Sequence, residues 1–338
     1  MSPLLSITLL ANATPAAGSE ACAVVPLPQS LSTAAQAYLS SPEDRRFLRA
    51  MPETLDDWNA WQKSMRENGE RFVAQAVDRG EVSVEWTELG NVRAAWVRPT
   101  DADPFAGGPI VFNLHGGGYA LNDGDAALYT AVAFAELEGL TSVSVDYRLT
   151  PQHPYPAALE DAVTAYAVLK RKMPNHPIMV YGLSAGGGLG AAFMLKLKEL
   201  GLPQPDGAVL NTPWSDVALE SDTLATLDCI DPLLGRSRPS LERLASFYAG
   251  PTDSRDPLVS PVYGDWRDLD VPVLLISGTR DVMLSDTVRL HRAMWRAGVP
   301  AELIVHEGMW HAFSIEPEFT AMIAESARFM RDNSSKEN

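Results

Sequence analysis

The sequence predicts an α/β fold: a mostly parallel central sheet with an antiparallel N-terminal hairpin, flanked by helices and carrying a helical cap. Three observations predict it. Short apolar runs recur between residues 110 and 305, helical stretches separate most of them, and a segment of period two precedes them all. Runs with little alternation are what strands buried on both faces look like, and helices between them supply the crossovers that join parallel neighbours.

In chain order, residues 31–80 are helical in pattern. Thr54 with Asp57 reads as a capping box, and Trp58, Trp61, Met65 and Phe72 recur on one apolar face. Residues 1–80 are therefore expected to form a helical cap or arm beside a main domain at 81–338. From Glu81 the period becomes two, with Val82, Val84 and Trp86 on one side, a turn at Gly90-Asn91, and a returning strand from Val92 to Val97. Strands follow at 110–114, 141–145, 178–181, 208–210, 273–276 and 302–305, with helices at about 126–138, 157–172, 187–200, 286–297 and 317–331. The stretch at about 213–257, rich in Pro, Asp and Ser and helical near 241–248, breaks the rhythm and is expected to fold over the sheet as a cap insertion.

Composition narrows the function. A chain of 338 residues with 46% hydrophobic residues can bury a sizeable core, and a formal net charge of -16 argues against binding to nucleic acid or anionic membranes. Cys22 and Cys229 lack the close spacing of zinc or dithiol motifs and read as two free thiols. Leu4 to Ala11 is apolar and small residues follow at Ala13 to Ala17, but the first basic residue is Arg45. With no charged n-region ahead of a run much shorter than the roughly 20 residues of a spanning helix, a cytoplasmic location is expected over export, and membrane insertion is not expected.

In an open parallel sheet, ligands bind beyond the carboxyl ends of the strands, so the residues following each strand carry the information. Gly182-Leu183-Ser184-Ala185-Gly186 stands between a strand and a helix. In that context G-x-S-x-G is a tight turn that exposes the serine above the sheet; elsewhere it is merely a turn. His115-Gly116-Gly117-Gly118-Tyr119 follows an earlier strand, and its bare amides suit an oxyanion hole. Gly117, Gly118 and the Ala185 amide are assigned to that hole, with Gly116 as a further candidate. Asp281 and His311 follow the last two strands, in the order Ser, Asp, His that this chemistry takes on such a sheet. His306 competes for the base but lies at the strand end, and Asp286 competes for the acid but reads as the start of the next helix. The expected chemistry is acyl transfer by Ser184, with His311 as general base and Asp281 orienting it, and it requires no cofactor or metal.

Beyond the single motifs, the chain resembles the hormone-sensitive lipase-like (bacterial family IV) carboxylesterases of the α/β-hydrolase superfamily over roughly residues 80–330. His115 to Tyr119 looks like that family's HGGG loop. Asp146-Tyr147-Arg148-Leu149 through His153-Pro154 to Asp161 is similar to its DYRLAPEHPFPAALDD signature, and Gly182 to Gly187 to its GDSAGG elbow. Asp256-Pro257-Leu258 with Ser260-Pro261 resembles another of its segments. The resemblance implies hydrolysis of short acyl esters, a helical cap and frequent homodimers. Leu183 departs from the pattern, which usually has Asp there, and Asp146 and Arg148 are expected to form an ion pair below the site. An amidase, lactonase or acyltransferase could use the same three residues. A non-catalytic receptor for a small ligand could use the same fold, although such receptors usually lose the base.

Overall fold

The computed structural model describes residues 25–40, 51–100 and 108–334. The apolar segment at 4–11, Cys22 and Arg45 lie outside them, as does much of the expected 1–80 unit.

Among the described residues, eight strands form one sheet in the order β1-β2-β4-β3-β5-β6-β7-β8. The hairpin β1 (Val82–Leu89) and β2 (Val92–Pro99) pairs antiparallel, from Val82 opposite Pro99 to Leu89 opposite Val92. Gly90 turns the corner at φ +72°, a conformation that costs glycine little. β2 also runs antiparallel to β4 (Ser142–Val145), and all later pairings are parallel: β3 (Ile110–Leu114), β5 (Ile178–Leu183), β6 (Gly207–Asn211), β7 (Val273–Gly278) and β8 (Ala301–His306). The expected mostly parallel sheet with its antiparallel start is borne out.

The inner parallel strands β3, β5, β6 and β7 are buried on both faces, and alternate residues feed two cores. Phe112, Val180, Leu210 and Leu275 point into one, while Val111, Tyr181, Val209 and Leu274 point into the other. The first core is closed by α4 (Ala157–Lys172), α5 (Ala185–Leu200) and α8 (Leu284–Arg296), the second by α3 (Tyr129–Glu138) and α9 (Glu318–Ser334). Each fully buried Val, Leu, Ile or Phe contributes about 1.5–3 kcal/mol relative to exposure, so double-sided burial dominates the energetics of this sheet.

The remaining α-helices among the described residues are α1 (Thr33–Ser40), α2 (Leu55–Asp78), α6 (Thr223–Thr226) and α7 (Arg238–Ala249). Thr54 caps α2 by accepting the Asp57 amide at 3.1 Å and donating to the Asp57 carboxylate at 2.7 Å. The buried face of α2 differs from the stripe read in the sequence: Trp58 is buried, but Gln62 and Gly69 are as well. Gln62 donates to the carbonyls of Ala120 (2.8 Å) and Thr150 (3.2 Å), and a Cβ on Gly69 would stand 2.2 Å from the Ala126 amide nitrogen. A hydrogen-bonded amide and a backbone-to-backbone approach are invisible to a count of apolar residues.

The strand order places the site. β3 sends the chain to β4 on one side and then back to β5 on the other, so β3 and β5 are neighbours whose following loops diverge. That reversal opens the crevice in which such sheets bind ligands.

Two readings are corrected. Asp146 and Arg148 do not pair with each other: Asp146 accepts from Arg93 (2.8 Å) and the Gly124 amide (2.9 Å), while Arg148 grips Asp161 with a closest contact of 2.8 Å. The chain leaves β4 as irregular backbone at 146–149, so side-chain direction no longer follows strand alternation and each finds its partner on a different element. Cys229 is not a free thiol but is engaged in a disulfide. Asp286 lies in the first turn of α8, as its place at the start of that helix suggested; buried, it accepts the amides of Ser215 (2.9 Å) and Asp216 (2.8 Å) and anchors the loop after β6.

Candidate active site

At the carboxyl end of β5 the backbone must reverse at once into α5. Ser184 takes the turn at φ +56°, ψ -118°, a conformation strained for any residue with a Cβ, and α5 begins at the very next residue, two earlier than the sequence pattern indicated. The flanking glycines leave no room for side chains. A Cβ on Gly182 would lie 2.3 Å from the Gly186 carbonyl oxygen, and one on Gly186 would lie 2.0 Å from that of Leu114. The Ser184 amide, bonded to the Asn211 carbonyl at 2.9 Å, pins the turn to the neighbouring strand.

Ser184, His311 and Asp281 come together from the ends of β5, β8 and β7. The Ser184 Oγ lies 2.7 Å from His311 Nε2, and His311 Nδ1 lies 3.0 Å from Asp281 Oδ1. This fits the imidazole with its proton on Nδ1, donated to Asp281, and a bare Nε2 that accepts from the serine hydroxyl. Asp281 is fully buried and further held: its Oδ1 accepts the Met283 amide at 2.8 Å and its Oδ2 the Ser277 hydroxyl at 2.7 Å. Burial disfavours the imidazolium form of His311, but Asp281, through charge and hydrogen bond, with Asp231 and Asp286 adding charge, outweighs it and raises the His311 pKa above the ordinary value.

The loop after β3 faces this row. Gly117 and Gly118 adopt positive φ (118° and 62°), and among the described residues no hydrogen bond occupies their amides or that of Ala185. The Gly116 carbonyl accepts the His115 ring at 2.8 Å and Asn122 at 3.3 Å, which holds the loop from behind. Beneath it, His115 stacks on Tyr147 at 4.1 Å, and the Tyr147 hydroxyl donates to the His115 carbonyl at 2.6 Å.

A cavity of about 230 Å³ opens over Ser184 and His311, with Met65, Leu234, Leu241 and Leu244 in its wall. A second, of about 310 Å³, adjoins it across Met65, Gly116, Asn122 and Leu183. The first is markedly apolar, suiting an uncharged ligand.

Other candidates lie elsewhere. His306 is 3.2 Å from Glu325 on α9, His176 contacts the Gly108 carbonyl and His291 that of Ala301. Among the described residues, no group of three or more His, Cys, Asp or Glu could hold a metal ion, and no helix is long and apolar enough to cross a membrane. Sequence reasoning missed three supporting residues. Ser277 had a signal, as a hydroxyl inside an apolar strand; Tyr147 had one only in the DYRL segment; Asp231, which accepts the His311 amide at 3.1 Å, had none.

Comparison with known proteins agrees with this geometry. A family model described as alpha/beta hydrolase fold matches residues 111–315. An acetyl-hydrolase of Streptomyces hygroscopicus is 34% identical over 72% of this chain and 81% of its own. A crystal structure of an esterase superposes with a TM-score of 0.81 at 30% identity, covering 92% of this chain and 97% of that one. The structure of a hormone-sensitive lipase from a metagenome library does so at 0.74 and 30%, covering 85% and 94%. With a sheet that reverses direction at β3 and β5, a serine at the turn after β5 and these relatives, the chain belongs to the alpha/beta hydrolase fold family, among the carboxylic ester hydrolases of the bacterial hormone-sensitive lipase group.

Proposed function

We propose that the protein is a serine carboxylesterase that cleaves short- to medium-chain carboxylic esters through an acyl-enzyme. The observation that carries this reading is the hydrogen-bonded row Ser184, His311, Asp281, with contacts of 2.7 and 3.0 Å, facing the unoccupied amides of the glycine loop. His311 takes the Ser184 proton as the hydroxyl attacks the ester carbonyl. Asp281 stabilises the resulting imidazolium, and the amides of Gly117, Gly118 and Ala185, with Gly116 a further candidate, receive the oxyanion. The imidazolium then protonates the departing alcohol, and water, activated by the same base, releases the acid.

The apolar cavity of about 230 Å³ supports an acyl group of modest length. Met65 from α2 and Leu241 and Leu244 from α7 wall it, which supports a cap drawn from the N-terminal helices and from residues 213–257. A homodimer through the exposed edge strand β8, where Val305 is 38% exposed, is part of this reading; a monomeric mass by light scattering at micromolar concentration removes it.

The test is a p-nitrophenyl ester series from acetate to palmitate on wild type and Ser184→Ala. Activity that peaks at short to medium chains and falls about 10⁶-fold in the variant is expected. If wild type and variant cannot be told apart on every ester, the ester reading fails, and anilide and lactone substrates tell which sibling chemistry replaces it. If those too stay uncleaved and wild type only binds them, the fold serves as a small-ligand receptor.

A further inference from the structure

Between α6 and α7, far in sequence from any strand end, Asp231 lies 2% exposed beside the proposed triad. Its two oxygens accept four backbone amides. Oδ1 takes Leu233 at 2.8 Å and Leu234 at 2.9 Å, while Oδ2 takes Val282 at 3.1 Å and His311 at 3.1 Å. Val282 follows the acid directly and His311 is the base, so a single oxygen ties the loop after β7 to the loop after β8. The other oxygen holds Leu233 and Leu234, both of which line the cavity over Ser184.

We propose that Asp231 is a positioning residue: its carboxylate clamps the acid-bearing and base-bearing loops to the cavity wall and stands as a second negative charge behind the imidazolium. The inference rests on the triad reading above. Four donors on two carboxylate oxygens use the acceptor capacity of an ionised acid fully, and a protonated acid would turn its own hydrogen on one of them. The charged groups facing the pair are few. Asp231 meets Asp281, which repels its charge, and His311, which attracts it; His311 in turn meets Asp281, Asp231 and Asp286. Burial and Asp281 raise the Asp231 pKa, opposed by His311 and by the amides of Leu234 and Val282. When His311 takes the Ser184 proton, the new positive charge appears among these carboxylates in a site shielded from water, where each of them counts for more than it would at the surface.

Asp231→Asn tests this directly. It removes the charge and keeps the size, but its NH₂ group must face one pair of amides, so either the wall or the acid and base loops lose an acceptor. Hydrolysis of p-nitrophenyl butyrate is measured across pH, with competent sites counted by titration with a p-nitrophenyl alkylphosphonate and folding followed by thermal melt. Per titrated site, kcat is expected to fall about 10²-fold with KM nearly unchanged. The acid limb of kcat/KM is expected to move to lower pH, because the base has lost a charge that favours its protonated form. A lower Tm with kcat per site and the acid limb both unchanged would reduce Asp231 to a structural clamp and overturn the proposal. Wild type offers a reading that needs no variant: its acid limb is expected above the ordinary histidine value, and a limb at or below that value overturns the proposal even if Asp231→Asn does not fold. Ser184→Ala separates the two failures. If it stays active, the triad reading falls and this inference with it; if it is dead while Asp231→Asn matches wild type in rate and limb, this inference alone falls.

Discussion

The rim of the sheet and the wall of the cavity meet at Ser184 but are built on different physics. The rim is backbone bonded to backbone: Ser184 to Asn211 at 2.9 Å, Thr279 to His306 at 3.0 Å, Arg280 to Met309 at 2.8 Å. Its glycines leave no space, and a Cβ on Gly278 would lie 2.1 Å from the Met309 carbonyl oxygen. The wall is side chain against side chain, with Met65, Leu241 and Leu244 contributed by helices outside the sheet. Hydrogen-bonded main chain holds position to fractions of an ångström, as a proton relay needs, whereas packed aliphatic side chains tolerate exchange for others of similar size. A hydrolase assembled this way can change its substrate without disturbing its chemistry.

If that division holds, substitutions at the rim cost far more activity than those in the wall. Asp281→Asn keeps the shape but favours the wrong imidazole tautomer, and kcat is expected to fall about 10⁴-fold with little change in Tm, by steady-state kinetics and calorimetry. Gly117→Ala places a Cβ 2.5 Å from the Leu121 carbonyl oxygen at φ +118°, so the loop must move. A loss of about 10²–10³ in kcat is expected, as for one missing oxyanion donor, and retention of wild-type kcat would remove Gly117 from the hole.

Acid acts on the rim through His311. As the proposed base, His311 works only when neutral, and its pKa is raised, so kcat/KM is expected to drop about tenfold per pH unit below a limb lying above the ordinary histidine value. Stability has the opposite sign. A raised folded-state pKa contributes stability that is fully present below the unfolded value and is lost as pH rises through the folded one. Activity should therefore rise through the same window in which this contribution to Tm disappears, and a pH series of both quantities checks the pairing.

Leu244→Ala is the wall's counterpart. Its side chain lies against Gly118, where an added Cβ would come within 2.8 Å, and it is 1% exposed. Truncation is expected to cost about 2–5 kcal/mol in unfolding free energy. It should lower kcat/KM on the preferred ester only about tenfold, while the acyl-chain optimum moves to longer chains. A loss as deep as that of Gly117→Ala, with the optimum unmoved, would place Leu244 with the rim and erase the distinction.

What the sequence by itself determined is local and periodic. Double-faced strands read as unbroken apolar runs, the hairpin as period two about Gly90, and the elbow as two glycines around Ser184 between a strand and a helix. Each is set by sterics and burial within a few residues, so all eight strands were legible, as were Ser184, Asp281 and His311 as strand-end candidates. Only the tertiary structure decided which groups face one another. Asp146 finds Arg93 and Arg148 finds Asp161; Asp286 anchors the loop after β6; Gln62 serves two carbonyls; Asp231 reaches amides 51 and 80 residues away. Those partners are chosen by the stacking of helices on the sheet, which depends on the summed packing of both cores, and no short stretch of chain carries that sum.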